Sequence, residues 1–210
     1  MLISILIPTI SERSEQFKKL HDGLYTQIKD NKLEKKVEII SICDNRTVPL
    51  SSKRNTLQNL ATGKYFTHLD DDDELSADYC ITMIDHIENT VYKEHNKLPD
   101  IIGYDQICYV EKDIFIVKPS LNYNFGLQQA PIHMPSEKKY PEYMRYPWQF
   151  VLWNTKRFSK IYRTDSDTNA REDQNWLKKI QLEYPQSMSY KRDYIGHIYN
   201  FDDPSKSSCQ

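Results

Sequence analysis

Glycine is scarce in this chain: there are five in 210 residues, and the closest two, Gly103 and Gly126, lie 23 positions apart. Neither a Gly-x-Gly-x-x-Gly turn nor a Walker-type phosphate loop can be written with that spacing. Dinucleotide oxidoreductases with the usual fingerprint and P-loop NTPases are thereby excluded. Cysteine is nearly as thin. Cys43, Cys80, Cys108 and Cys209 are dispersed, with no Cys-x-x-Cys, so no zinc knuckle or redox pair can be drawn. They read as three core-type thiols and one tail thiol in a reducing compartment. An excess of positive charge is also missing, since 28 basic residues face 30 acidic ones. No global field exists to hold a nucleic acid by its phosphates, which leaves only a local basic groove open. Long apolar runs are absent too. Residues 1–7 are too few for a membrane span and lack the cationic start of a signal peptide, and Pro8 is expected to stop the run. The expectation is a soluble, cytoplasmic protein without a transmembrane segment.

What is present is ordinary for one globular domain: 39% hydrophobic and 28% charged residues. Residues 2–7 form a nearly continuous apolar run rich in isoleucine, the pattern of a strand buried on both faces. Phe17, Leu20, Leu24 and Ile28 then recur at helical spacing over residues 11–30. Residues 37–43 read as a second strand, and residues 51–62 as a helix capped by Ser51 or Ser52 and stopped by Gly63. A strand at 65–69, a helix at 77–92 and a strand from 100 complete the first half. Such alternation implies right-handed crossovers and a mainly parallel sheet flanked by helices. Ligands bind beyond the carboxyl ends of such strands. That rule gathers Pro8-Thr9, Asp44-Asn45 and the run Asp70 to Asp73 at one edge. The second half changes character. Residues 106–118 read as a hairpin turning near Glu111-Lys112-Asp113, residues 122–148 as irregular, 176–182 as a helix and 190–199 as a strand.

Several clusters could carry chemistry. Asp70-Asp71-Asp72-Asp73-Glu74 sets five carboxylates side by side, a repulsion that a hard divalent cation relieves. An EF-hand is a poor fit, because its sixth position would be Leu75 and its twelfth Ile81. The plainer alternative is a solvated turn capping the next helix. Lys53-Arg54-Asn55 opens a helix, where an anion is favoured and arginine offers a fork. It serves equally as a basic turn, or as an arginine tethering the acidic run. Asp44 is placed to accept from a nucleobase or ribose, or to make an Asx turn. Glu172-Asp173 begins a helix, either as dipole-compensating acids or with one of them as a general base. His197 is a strand residue, structural unless a ligand is shown.

Taken in order, these pieces resemble the family 2 glycosyltransferases, which have the GT-A fold. The matching stretches are Ser4-Ile5-Leu6-Ile7-Pro8-Thr9; Glu38-Ile39-Ile40 leading to Asp44; Lys53-Arg54-Asn55; Ala61-Thr62-Gly63-Lys64-Tyr65; and Leu69 through Leu75, which looks like the family's Asp-x-Asp-Asp motif. Glu172-Asp173 is similar to its Glu-Asp base motif. The likeness is dense over residues 1–80 and thin over 105–170. Cys43-Asp44-Asn45-Arg46 departs from it, with one acid where the family often has two. The resemblance implies a metal-dependent transferase that moves a sugar from a nucleotide diphosphate sugar, UDP-linked by expectation, to an acceptor hydroxyl with inversion. It implies donor contacts at Pro8, Thr9, Asp44, Arg54, Asn55 and Asp70. It implies Mn2+ or Mg2+ on Asp70, Asp72 and Asp73, with His197 approaching the metal or diphosphate. It implies Asp173 as base, with Glu172 beside it contacting the acceptor or an arginine. A single domain would comprise a nucleotide-sugar half, 1–105, and a small mixed acceptor half, 106–210.

Two other classes compete. A nucleotidyltransferase also uses a parallel sheet, metal and aspartates, but it usually needs a glycine-rich loop. A non-catalytic nucleotide-sugar binding module would keep the fold without the acids. Tyr123, Tyr140, Tyr143, Tyr146, Trp148 and Trp153 suit an acceptor wall or a core equally. Neither the acceptor nor the oligomeric state can be read here. The richness in isoleucine, lysine, asparagine and tyrosine suits an AT-rich genome such as a virus or phage.

Overall fold

Ile3, Ile5, Leu6 and Ile7 are fully buried, which is why their run is continuous rather than alternating. They belong to β1 (Ile3–Ile10) in a computed structural model that describes residues 1–94, 98–124, 126–129, 140–164 and 172–201. After a 3-10 turn the chain forms α1 (Ser14–Asp30), β2 (Val37–Asp44), α2 (Leu50–Leu60), β3 (Tyr65–His68) and a short β4 (Glu74–Leu75). Next come α3 (Tyr79–His86), carried on by a π-helical stretch (Ile87–Val91) into α4 (Tyr92–Glu94), and β5 (Ile101–Val110). The later elements are β6 (Asp113–Pro119), β7 (Gln128–Gln129), β8 (Glu142–Arg145), β9 (Leu152–Asn154), α5 (Thr155–Phe158), α6 (Glu172–Glu183) and β10 (Met188–Phe201). Among the described residues no helix is long and apolar enough to cross a membrane.

The strands form one large sheet flanked by helices, the α/β GT-A-type arrangement expected. β1 pairs in parallel with β2 and with β3. Beyond β3 the sheet is mixed. β9 lies antiparallel to both β3 and β5, so β5 keeps the direction of β3 but is separated from it. β5 and β6 make the expected hairpin, with Glu111 at φ 53° in its turn. β10 runs parallel to β5 and also holds β4.

Pro8 does not stop β1, as was expected; the strand runs on to Ile10. Leu6 O accepts from Leu69 N, so even-numbered residues of β1 turn their backbone groups towards β3. The ladder to β3 ends at Leu6↔His68, so the N–H that Pro8 lacks would have had no strand partner. α2 likewise starts at Leu50 after Pro49, rather than being capped by Ser51 or Ser52. Gly63 lies past the helix end for a different reason. A Cβ there would sit 2.7 Å from Ser4 N, and its own N–H donates to Ser4 Oγ at 2.8 Å. Ser4 Oγ in turn donates to Glu38 Oε1 at 2.6 Å, tying β1, β2 and the entry to β3 into one knot.

Helix α1 buries Leu20, Leu24 and Ile28 against this sheet, the stripe its spacing predicts. α6 docks through Trp176, whose ring meets Trp153 at 5.0 Å and whose Nε1 donates to Ile161 O at 2.7 Å. That docking fixes where the helix begins, and therefore where Glu172 and Asp173 stand.

One buried charge lies on β5. Asp105 is 3% exposed and accepts from the Tyr190 hydroxyl of β10; Lys118, Glu142 and Asp193 are the charges around it. Burial pushes its carboxyl up to about 6. With a native pKa above the unfolded value near 3.8, the native state binds more protons, so stability falls as pH rises from about 4 to about 6. Asp105→Asn should remove up to about 2–3 kcal/mol of that loss at neutral pH. Urea unfolding of both proteins between about pH 4 and 8 checks this. Parallel profiles would mean that Asp105 does not carry the pH dependence.

Candidate functional site

The carboxyl ends of β1 and β3, with the turn after β2, border a cleft of about 310 Å³. Its wall includes Pro8, Thr9, Arg13, Thr47, Val48, Pro49, Lys53, Asp70 and Asp71. Pro8, Thr9 and Asp70 therefore stand where the strand-end rule places a ligand.

Asp44 does not line this cleft. Its Oδ2 accepts from the backbone N–H of Thr47 and of Val48, both at 2.7 Å, and its Oδ1 from Lys53 Nζ at 2.6 Å. Lys53 chiefly holds its carboxyl down at about 2. Lys53 Nζ also donates to Thr9 O at 3.1 Å, so this pair clamps the ends of β1 and β2 together. Asp44 thus makes the Asx-type turn that the sequence offered beside the base contact. Asn55 is similarly engaged: its amide donates to Arg163 O and accepts from Arg163 N, each at 2.8 Å. It fastens the segment before α6 rather than facing the cleft.

Within the acidic run each carboxylate has its own setting. Asp71, to which the sequence assigned no role, is 4% exposed. It accepts from Thr9 Oγ1 and from Arg13 Nη1, both at 2.7 Å, and so holds the loop to β1. Asp72 lies 3.0 Å from Arg13 and its side chain is 43% exposed. Partial burial, with the charges of Asp70 and Asp73, pushes its carboxyl up to about 6. Asp73 faces inwards, with its Oδ2 3.1 Å from Nε2 of the fully buried His197. His197 stacks on Phe150 at 4.2 Å, and its Nδ1 meets Gln106 Nε2 at 3.0 Å. Asp73 and His197, both expected as metal ligands, face each other beneath the loop.

Arg54 is the hub. It is 2% exposed and projects from α2 to join acids that are a hundred residues apart in sequence. Its Nη2 lies 2.5 Å from Asp70 Oδ1 and its Nη1 binds Glu172 Oε1. Against the cost of burial, Asp70 and Glu172 hold this guanidinium firmly charged. The other oxygen of Glu172 meets Arg163 Nε at 2.8 Å. Arg163 also donates to Gln58, lies 3.3 Å from His68 Nε2, and covers the Trp176 ring at 4.2 Å. Glu172 is 2% exposed between its two arginines, so of its expected contacts it keeps the arginine and not an acceptor. Asp173, the next residue, is only partly buried; burial raises its carboxyl, while Arg54 opposes that rise. Asp70 is close enough for its charge to add to the same rise. Of the two acids expected at the reaction centre, Asp70 is thus paired with Arg54 and Asp173 lies within reach of its charge.

Gln149 and Arg163 were not foreseen. Gln149 Nε2 reaches Asp70 Oδ2 at 3.4 Å, while its buried Oε1 has no partner among the described residues. Both residues lie in stretches without periodicity, and no sequence signal marks them.

For a divalent cation the donors that fit are Asp70 and Asp72, hard oxygen ligands with side chains 29% and 43% exposed. Among the described residues no three His, Cys, Asp or Glu side chains form a ready cage. Magnesium-type sites commonly use one or two carboxylates and complete the shell with substrate phosphates and water. The mutual crowding that raises Asp72 is what a cation would relieve.

No protein-family model and no curated protein matches the chain. Solved structures do match in fold. S. aureus TarS 1-349 in complex with UDP superposes with a TM-score of 0.63 at 14% identity, over 95% of this chain and 60% of that one. The same fragment in complex with UDP-GlcNAc gives 0.58 at 14% identity, over 99% of this chain and 61% of that one. Longer S. aureus TarS gives 0.63 at 13% identity, and only 37% of it is covered. This chain thus spans about three-fifths of the shorter TarS structures, and what it shares with them is the GT-A-like α/β fold.

Proposed function

We propose that the chain is a glycosyltransferase that takes a sugar from a nucleotide diphosphate sugar, UDP-linked, and passes it with inversion to an acceptor hydroxyl. The observation that carries this reading is Arg54 binding Asp70, at the end of β3, and Glu172, the neighbour of Asp173, beside a strand-end cleft. The UDP and UDP-GlcNAc complexes of TarS, the fold neighbour, support a uridine diphosphate donor.

In this reading the cleft wall of Pro8, Thr9, Val48 and Pro49 receives the base and ribose. Asp70 and Asp72 would hold Mn2+ or Mg2+, which supplies charge to offset the leaving diphosphate. Arg54 holds Asp70 in place through their ion pair. Asp173 takes the proton from the acceptor hydroxyl as that oxygen attacks the anomeric carbon from the face opposite the diphosphate. The first half of the chain provides the donor side, and the second half returns through α6 to provide the base.

UDP with manganese should raise the melting temperature, and neither should do so fully alone. A ligand bound only to the native state at a hundred times its Kd adds about 2.7 kcal/mol. Asp72→Ala should abolish the manganese-dependent part. If it leaves the shift intact, the cation is held elsewhere. Product analysis with UDP-sugars distinguishes the chemistry, since release of UDP marks glycosyl transfer, release of sugar 1-phosphate would indicate nucleotidyl transfer, and no turnover a binding module.

A further inference from the structure

Arg145 ends β8 in the second half of the chain and takes no part in the site described above. Its position is fixed from both sides. Its carbonyl accepts from Ser120 N at 2.8 Å, and the next residue, Tyr146, is fully buried with its hydroxyl on Gln186 Oε1 at 2.7 Å. Its guanidinium lies over Trp148, 3.7 Å from the ring centre, a contact that favours one direction of the side chain. The buried Nε has no hydrogen-bond partner, and no carboxylate lies within ion-pair distance of this arginine, among the described residues. Burial lowers its pKa to about 10, so it stays charged at neutral pH. The arginines of that site, Arg13, Arg54 and Arg163, all sit on carboxylates. Among the described residues this stacked, half-buried guanidinium has no anion, so it bears the desolvation cost of an ion pair without the partner.

Its surroundings indicate which side of the site that partner comes from. The charges and titratable groups that act on Arg145 are Cys108 of β5, Asp173 of α6 and Tyr199 of β10. Asp173 is near enough to be felt and too far to pair. Arg145 therefore stands within electrostatic reach of Asp173, the residue proposed as base.

We propose that Arg145, seated on Trp148, is a subsite for an oxyanion of the acceptor, a phosphate or carboxylate group on a hydroxylated molecule. The fork of the guanidinium matches either group. The hydroxyl of the same molecule would then fall towards Asp173, while its anion stays on the far side of the arginine from that carboxylate. The identity of the ligand as an acceptor rests on the glycosyltransferase reading; the anion site itself does not.

Trp148 reports on it directly. Trp153 and Trp176 are buried at 0% and 1% exposure, so Trp148 is the indole placed to sense an added anion. Tryptophan emission is titrated with inorganic phosphate and, separately, with sodium acetate, at constant ionic strength and with UDP and magnesium present. A saturable change is expected with one or both anions, about tenfold or more weaker in Arg145→Gln, the scale of one charge-assisted contact. Arg145→Lys, which keeps the charge but loses the fork, should fall between them. Trp148→Phe should lose the signal while phosphate still protects the fold in thermal melts. Preference for phosphate assigns a phosphorylated acceptor, and preference for acetate a carboxylated one. No saturable change, or the same affinity in Arg145→Gln with an unaltered melting curve, overturns the proposal. UDP affinity is measured in the same samples: loss of UDP binding with Arg145-dependent anion binding intact would refute the donor reading alone.

Discussion

Asp173→Asn is expected to transfer sugar roughly a hundred-fold to ten-thousand-fold more slowly than the unaltered chain while binding UDP equally well. A hydroxyl is a poor nucleophile at neutral pH, and a carboxylate within reach supplies the missing basicity. Burial raises the Asp173 carboxyl, which makes it a stronger base than a solvated aspartate, and Arg54 opposes that rise. Asn keeps the shape and the first turn of α6 but cannot take a proton. In the proposed reading UDP would be held by the cleft wall and by the cation on Asp70 and Asp72, which the substitution leaves untouched. Transfer rates and UDP calorimetry on the same preparation separate the outcomes. A near-normal rate would place the base elsewhere. Loss of UDP binding as well would make Asp173 a helix-start residue and nothing more.

Arg54→Met should cost the fold about 3–5 kcal/mol, the penalty for leaving a buried carboxylate unpaired. Glu172 would retain only Arg163, and Asp70 would lose its closest cation, at 2.5 Å. Glu172→Gln, which removes charge but keeps shape, should cost less than Arg54→Met. The double variant Arg54→Met, Glu172→Gln should recover part of the loss, because the uncompensated charge is gone. Urea unfolding of the four proteins completes this cycle. Strictly additive losses would show that the arginine and the glutamate do not act as a pair.

Much of this architecture could be read from the residues. The strand at residues 2–7 and the stripe Leu20, Leu24, Ile28 were legible because burial leaves an unambiguous period. The hairpin turning at Glu111 was legible as a break between two apolar runs. β9 was not, since its three residues, Leu152–Asn154, are too few to show a period, yet they decide how β3 and β5 are joined. In the acidic run, four like residues in a row hide which of them turns inwards. The fold settles that Asp71 is pinned by Thr9 and Arg13, while Asp73 pairs with His197. Glu172-Asp173 was legible as a pair, but their division into one anchored and one half-open acid depends on Arg163. That arginine reaches Glu172 only because Asn55 grips its backbone.

The insertion of β9 between β3 and β5 also bears on how the chain comes off the ribosome. β3 ends at His68, but the strand that covers its free edge begins at Leu152, so the two are made more than eighty residues apart. During synthesis Tyr65 and Phe66, fully buried in the finished protein, wait on an unpaired edge for several seconds at ordinary elongation rates. Such an edge is a template for pairing with another chain. Pairing across so long a loop also delays folding, because closure entropy must be met before the contact rewards it. Nascent chains halted before residue 152 should therefore associate with one another or with a holding chaperone, and release of the full-length chain should end that association.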